Sequence, residues 1–137
     1  MSHYYNQADL EWIPELVKLA PQASASFFAF EKEVYHSDGA LPLKTKELLA
    51  VAAAHLTGCP YCIDVHVQKY RKLGGTREEI VEAVLVAAST QAGAVLSHAT
   101  QALAAFHRAA SAEGSTSGDE HRNRNGDGDR SGPACFC

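Results

Sequence analysis

The chain has 137 residues, nearly half of them apolar, and a net charge of −4 with both signs mixed along its length. That suits one domain with a real core and gives no basic footprint for nucleic acid or an anionic membrane surface. No apolar run approaches the roughly 18 residues of a membrane span, and MSHYYNQADLEW lacks the basic start and apolar stretch of a secretory signal, so a cytoplasmic protein is expected.

No strand-like alternation of useful length occurs. The period is helical throughout, which predicts an all-α fold of about six helices. Asp9 is placed to cap a first short helix that ends near Ala20, before Pro21. Pro21 suits the first turn of a second helix, through FFAFEKEVYH to about His36. The run FFAF is too apolar for a surface and reads as core or subunit interface. SDGALP turns the chain at Asp38-Gly39. A third helix, about Pro42–Thr57, becomes nearly apolar after Glu47 and is stopped by Gly58. A fourth starts at Cys59–Pro60 and runs to Leu73, where Gly74-Gly75 ends it. Thr76-Arg77-Glu78-Glu79 is a capping-box sequence for a fifth helix, whose inner face is predicted at Ile80, Val81, Val84, Leu85 and Ala88. Gly93 is the expected break before a sixth helix, VLSHATQALAAFHRAA, that ends near Glu113.

At Gly114 the composition changes. GSTSGDEHRNRNGDGDRSGP carries no apolar residue and cannot bury enough surface to offset its ordering entropy. Residues 1–113 are therefore expected to form the helical domain and 114–137 a disordered tail ending in ACFC.

The chemistry concentrates in TGCPYCIDVH, residues 57–66. The four cysteines fall in two close pairs, Cys59/Cys62 and Cys135/Cys137. Such pairs close almost no loop, so neither stabilises much as a bridge. On a helix beginning at Cys59, Cys62 and His66 lie one turn apart on one face, with Cys59 on the same side. The helix N-terminus offers unpaired N–H groups and a partial positive charge, and both stabilise a thiolate. A thiolate attacks peroxides and disulfides, and a second thiol one turn away captures the sulfenic acid before it over-oxidises. Glu47 is the one acid in ELLAVAAAHLTG, and a carboxylate facing an apolar interior is suited to shuttle protons. It lies about 15 Å up the third helix from Thr57, and an equal distance down the fourth from Cys59 overshoots His66. Contact between Glu47 and His66 is thus allowed by the spacing, not forced.

The set Glu47, Cys59, Tyr61, Cys62 and His66, a glutamate twelve residues before a Cys-x-Tyr-Cys-x-x-x-His cluster, resembles the signature of the alkylhydroperoxidase D (AhpD)-like proteins of the carboxymuconolactone decarboxylase superfamily. The likeness covers Leu41–Ala88 strongly and the helical remainder loosely. It implies a small all-α fold working as a homotrimer or homohexamer. It also implies thiol peroxidase or disulfide-reductase chemistry on a hydroperoxide substrate, an external dithiol electron donor, and no metal or flavin. Cys62 would be the peroxidatic thiol, Cys59 the resolving one, and His66 the activating base. Glu47 would be the relay carboxylate and Tyr61 a hydrogen-bonding member of the relay. The decarboxylase branch lacks the cysteine pair, which argues against decarboxylation. The segments YYNQADLEW and DGAL resemble a peroxidase-like sub-branch found near arsenic-sugar genes.

Other readings stay open at this point. Cys59, Cys62 and His66 with His55 would make four zinc ligands, although no second ligand knuckle follows. Paired thiolates also suit arsenite or another soft metal, and the same fold hosts lactone chemistry. Glu47 follows Lys44 and Lys46 and would be stabilised in a first turn by the helix dipole alone. Tyr61 reads equally as a packing ring. His55 and His98 read as core or interface histidines. The resemblance does not explain ACFC, whose thiols would either pass electrons to Cys59/Cys62 or be incidental.

Overall fold

A computed structural model of the chain describes residues 4–36 and 39–114. A 3-10 helix, Gln7–Trp12, leads into α1 (Ile13–Leu19). Then follow α2 (Pro21–Val34), α3 (Leu43–Thr57), α4 (Pro60–Lys72) and α5 (Arg77–Gly114). Among the described residues there is no strand, so the fold is all-α as the periodicity predicts. The expected tail beyond Gly114, with Cys135 and Cys137, lies outside the described residues. By internal packing the chain divides into two units, Met1–Ala88 and Ser89–Cys137. The first holds the candidate site; the described part of the second is the stretch of α5 from Ser89 onward.

Three local expectations change. The first cap is Asn6, not Asp9: Asn6 takes the Ala8 N–H on its side-chain oxygen, which starts the helix three residues earlier and leaves the Asp9 carboxylate for a longer-range partner. Gly93 does not break the helix. One glycine costs about 1 kcal/mol in a helix interior, and the alanine-rich flanks carry the hydrogen-bond ladder through it. Because α5 is continuous, its stretch Arg77–Arg108 is long and apolar enough to cross a membrane by length and composition, which corrects the expectation that no such run exists. Taken alone that is weak support for a membrane. The third change is the inner face of α5. Ala87 is buried and Ile80, Ala83 and Val84 are half-buried, while Val81, Leu85 and Ala88 are exposed. A helix apolar on most sides does not reveal in its sequence which stripe its own chain covers.

α3 and α4 form the main helix pair. Gly58 stands in the left-handed region at φ 67° and closes α3 with two reverse hydrogen bonds, Gly58 N–H to His55 O and Cys59 N–H to Ala54 O. This turn folds Cys59 back level with Ala54. Pro60 then opens α4 in its first turn, where a missing N–H costs nothing. At the other end of α4 the Tyr70 ring is 1% exposed and packs where a Cβ on Gly75 would collide with it. Gly74 reverses the chain at φ 78°. The predicted capping box is present: Glu79 N–H donates to Thr76 Oγ1 and Thr76 N–H to Glu79 Oε2. Tyr70 also donates to Glu79 Oε2, at 2.6 Å, and Lys44 of α3 to Oε1, at 3.2 Å, so one carboxylate ties α3, α4 and α5 together.

Candidate active site

The turn at Gly58 settles the distance that the sequence leaves open. With Cys59 level with Ala54, Glu47 is seven residues back along α3 and His66 seven residues on along α4. Both spans are about 10 Å, so the two side chains meet. His66 Nδ1 lies 2.7 Å from Glu47 Oε2. Glu47 is 3% exposed, which makes it one of the few buried polar residues described. With the carboxylate ionised, the ring N–H at Nδ1 donates to it and Nε2 remains for other chemistry.

Cys59 is the N-cap of α4. Its Sγ accepts the Cys62 N–H at 3.2 Å, a place that serine or aspartate usually fills. The two cysteines are joined as a disulfide with their Cα atoms 5.3 Å apart. Cys62 and His66 line one wall of a cleft of about 610 Å³. Leu10, Ile13, Phe27, Phe28 and Val65 supply much of the rest of its lining, and Glu31 and Lys69 are the charged side chains that join them.

Tyr61 stands apart from the Glu47–His66 pair. Its hydroxyl donates to Asp9 Oδ2 at 3.1 Å, and its ring meets Tyr5 edge-on at 4.6 Å. Tyr5 in turn donates to Asp64 Oδ2. These crossed tyrosine–aspartate bonds fasten the N-terminal segment along α4, and the Tyr61 ring still lines the cleft beside Cys62. Burial first, then the bonded aspartate, pushes both phenols above the usual tyrosine value.

One neighbour has no counterpart in the sequence motif. Tyr35, at the C-cap of α2, stacks on the His66 ring with centroids 5.4 Å apart and planes inclined by 25°. Lys69 Nζ lies 5.4 Å from the same tyrosine ring. Tyr35 precedes the cysteine cluster by more than twenty residues and has no periodic relation to it, so only the third dimension reveals it. Among the described residues, no group of three or more His, Cys, Asp or Glu side chains is placed to hold a metal ion. His55 spends its Nδ1 on the Val51 carbonyl instead of turning to the cysteines.

A cysteine pair at the start of α4, with a histidine later in the same helix bonded to a buried glutamate of α3, marks a class of small all-α proteins. The known relatives agree. The sequence profile of the Carboxymuconolactone decarboxylase family matches residues 21–105, and the chain belongs to that family. It is 52% identical over 79 residues to an uncharacterised protein of the cox locus in Paracoccus denitrificans, which covers 58% of this chain and 70% of that one. It is 45% identical over 58 residues to the alkyl hydroperoxide reductase AhpD of Streptomyces griseus, over 42% of this chain and 33% of that one. The fold resembles a crystal structure of a carboxymuconolactone decarboxylase family protein from Legionella pneumophila, with a TM-score of 0.58 and 35% identity over 74% of this chain and 90% of that one. The AhpD-like resemblance of the Glu47-to-His66 signature thus sits inside an established family membership.

Proposed function

We propose that this protein is a thiol-dependent hydroperoxidase and disulfide reductase with Cys59 and Cys62 as its redox couple. The observation that carries the reading is the convergence, on one apolar cleft, of a disulfide-forming cysteine and a histidine already paired with a buried carboxylate. The cycle starts from the dithiol. The Cys62 thiolate attacks the outer oxygen of a hydroperoxide, the O–O bond breaks, and the alkoxide leaves as an alcohol with a proton from His66. Cys62 is now a sulfenic acid. The Cys59 thiolate attacks its sulfur, water leaves, and the disulfide forms. An external dithiol then reduces the pair by exchange and leaves as its own disulfide. In sum, one hydroperoxide and one dithiol give one alcohol, one water and one disulfide. Glu47 holds His66 and takes up or returns its proton.

The lining of the cleft favours an organic hydroperoxide with an apolar body. A reducing compartment such as the cytoplasm fits the cycle, and so does a homotrimer or homohexamer. Thiol mass spectrometry before and after one equivalent of cumene hydroperoxide tests the reading on the reduced chain. The expected result is loss of two hydrogens mapped to Cys59–Cys62, and no peroxide consumption by Cys62→Ser. A reduced chain whose thiols survive the peroxide would overturn it. A lactone decarboxylase, the chemistry in the family's name, predicts instead that changing both cysteines leaves turnover intact.

A further inference from the structure

We propose that Tyr35 is a positioning residue of this site: its ring, stacked on the His66 imidazole, holds that imidazole on Glu47 and so sustains the reactivity of the Cys62 thiol. The inference rests on the reading of Cys62 and His66 as one site. It begins with what the Glu47 bond leaves undone. A single hydrogen bond at Nδ1 fixes one edge of the imidazole, but the ring can still swing about that contact through its two side-chain torsions. A second ring lying nearly parallel, 25° off, fixes the plane.

The partner also has suitable electronics. A tyrosine face attracts cations, and Lys69 Nζ already lies 5.4 Å from the ring centroid. That contact helps hold the tyrosine ring where it stacks on the imidazole. The phenol itself stays neutral, because burial, then the Glu47 and Glu31 charges, push its pKa up. Tyr35 is only half-buried and belongs to no core cluster. Its place at the end of α2 makes that helix a third supporter of the site, beside α3 with Glu47 and α4 with the cysteines.

The test measures thiol reactivity, not peroxide turnover. The reduced full-length chain is alkylated with iodoacetamide at neutral pH, and Cys62 modification is followed by mass spectrometry. Tyr35→Phe keeps the ring and is expected within about twofold of wild type; Tyr35→Leu loses the stack and is expected about tenfold slower, the upper size of a lost aromatic stack. In a His66→Gln background the leucine substitution should add nothing, because the effect runs through the imidazole. The proposal falls if Tyr35→Leu alkylates at the wild-type rate, if Tyr35→Phe is as slow as leucine, or if the leucine effect persists in full without His66. Should leucine unfold the chain, the wild type still decides by nuclear magnetic resonance. A stacked His66 has ring protons shifted upfield, and His66 protons at their solvent-exposed positions would overturn the stack. A chain that shows this coupling but leaves peroxide untouched loses the hydroperoxidase reading and keeps the Tyr35 one.

Discussion

At the scale of single residues, the site combines a sulfur cap with a buried acid. Cys59 Sγ does the work of an N-cap oxygen for the Cys62 amide, so removing it costs helix stability as well as redox chemistry. Cys59→Ala, measured against the reduced wild type, is expected to lose about 1 kcal/mol by urea unfolding, whereas Cys59→Ser restores an oxygen cap and recovers that loss. Equal stability of the two variants would mean that the sulfur caps nothing. Glu47→Gln keeps the size and a hydrogen-bonding oxygen for His66 but cannot accept a proton. It is expected to slow peroxide consumption by about 100-fold, within the range of general acid–base catalysis, while single-turnover disulfide formation still goes to completion. An unchanged rate would remove Glu47 from the chemistry. The sequence exposes these parts unequally. Cys59, Cys62 and His66 lie within one stretch of helix, so their spacing alone groups them. Glu47 needs the Gly58 turn, because the two hydrogen bonds that set Cys59 level with Ala54 decide whether it reaches His66. Tyr35 needs the packing of α2 and is invisible before it.

At the scale of elements, the joint between α4 and α5 concentrates its electrostatics on one carboxylate. Tyr70's hydroxyl first, then the Thr76 N–H and Lys44, hold Glu79 down to about 2 from a carboxylate's usual 4.5. Burial, then the bond to Glu79, pushes Tyr70 up to about 12 from 10.0. The two shifts act at opposite ends of the pH range. A depressed acid stabilises the fold above its unfolded value, so the Glu79 contribution is complete above 4.5 and is lost as pH falls toward 2. A raised phenol stabilises below its unfolded value, so the Tyr70 contribution is complete below 10 and is lost as pH climbs toward 12. The melting temperature is therefore expected to be flat between these limits and to fall at both ends. Tyr70→Phe should reduce the acid loss and remove this residue's share of the alkaline loss; identical profiles for the two proteins would contradict the bond. The helix boundaries here were legible because their signals are local: a glycine pair, then Thr76 and Glu79 at capping-box spacing. The continuity of α5 was not, because a lone Gly93 in an alanine-rich helix costs less than the ladder around it supplies.

At the scale of the whole molecule, the single chain leaves much apolar surface uncovered. Phe27, Phe28 and Phe30, which the sequence places in a core or an interface, are all exposed in the isolated chain, and so are Val95, Leu96, Leu103 and Phe106 along α5. Phe106 is 72% exposed. Patches of this kind on a folded chain mark surfaces that something else covers. Further copies of the chain meet this need, since an apolar face of one copy covers a different apolar face of the next around a closed ring. Sedimentation equilibrium on the full chain is expected to give a multiple of the 14.7 kDa monomer mass, with three or six copies the expected count. Replacing both Leu103 and Phe106 by glutamate should return the mass to that of the monomer, because two charges buried in an apolar contact each cost several kcal/mol when unpaired. A wild-type chain that sediments as a monomer, or that stays in solution only with detergent or lipid vesicles, would defeat self-association. In the second case α5 would be covered by a bilayer, as its length and composition allow.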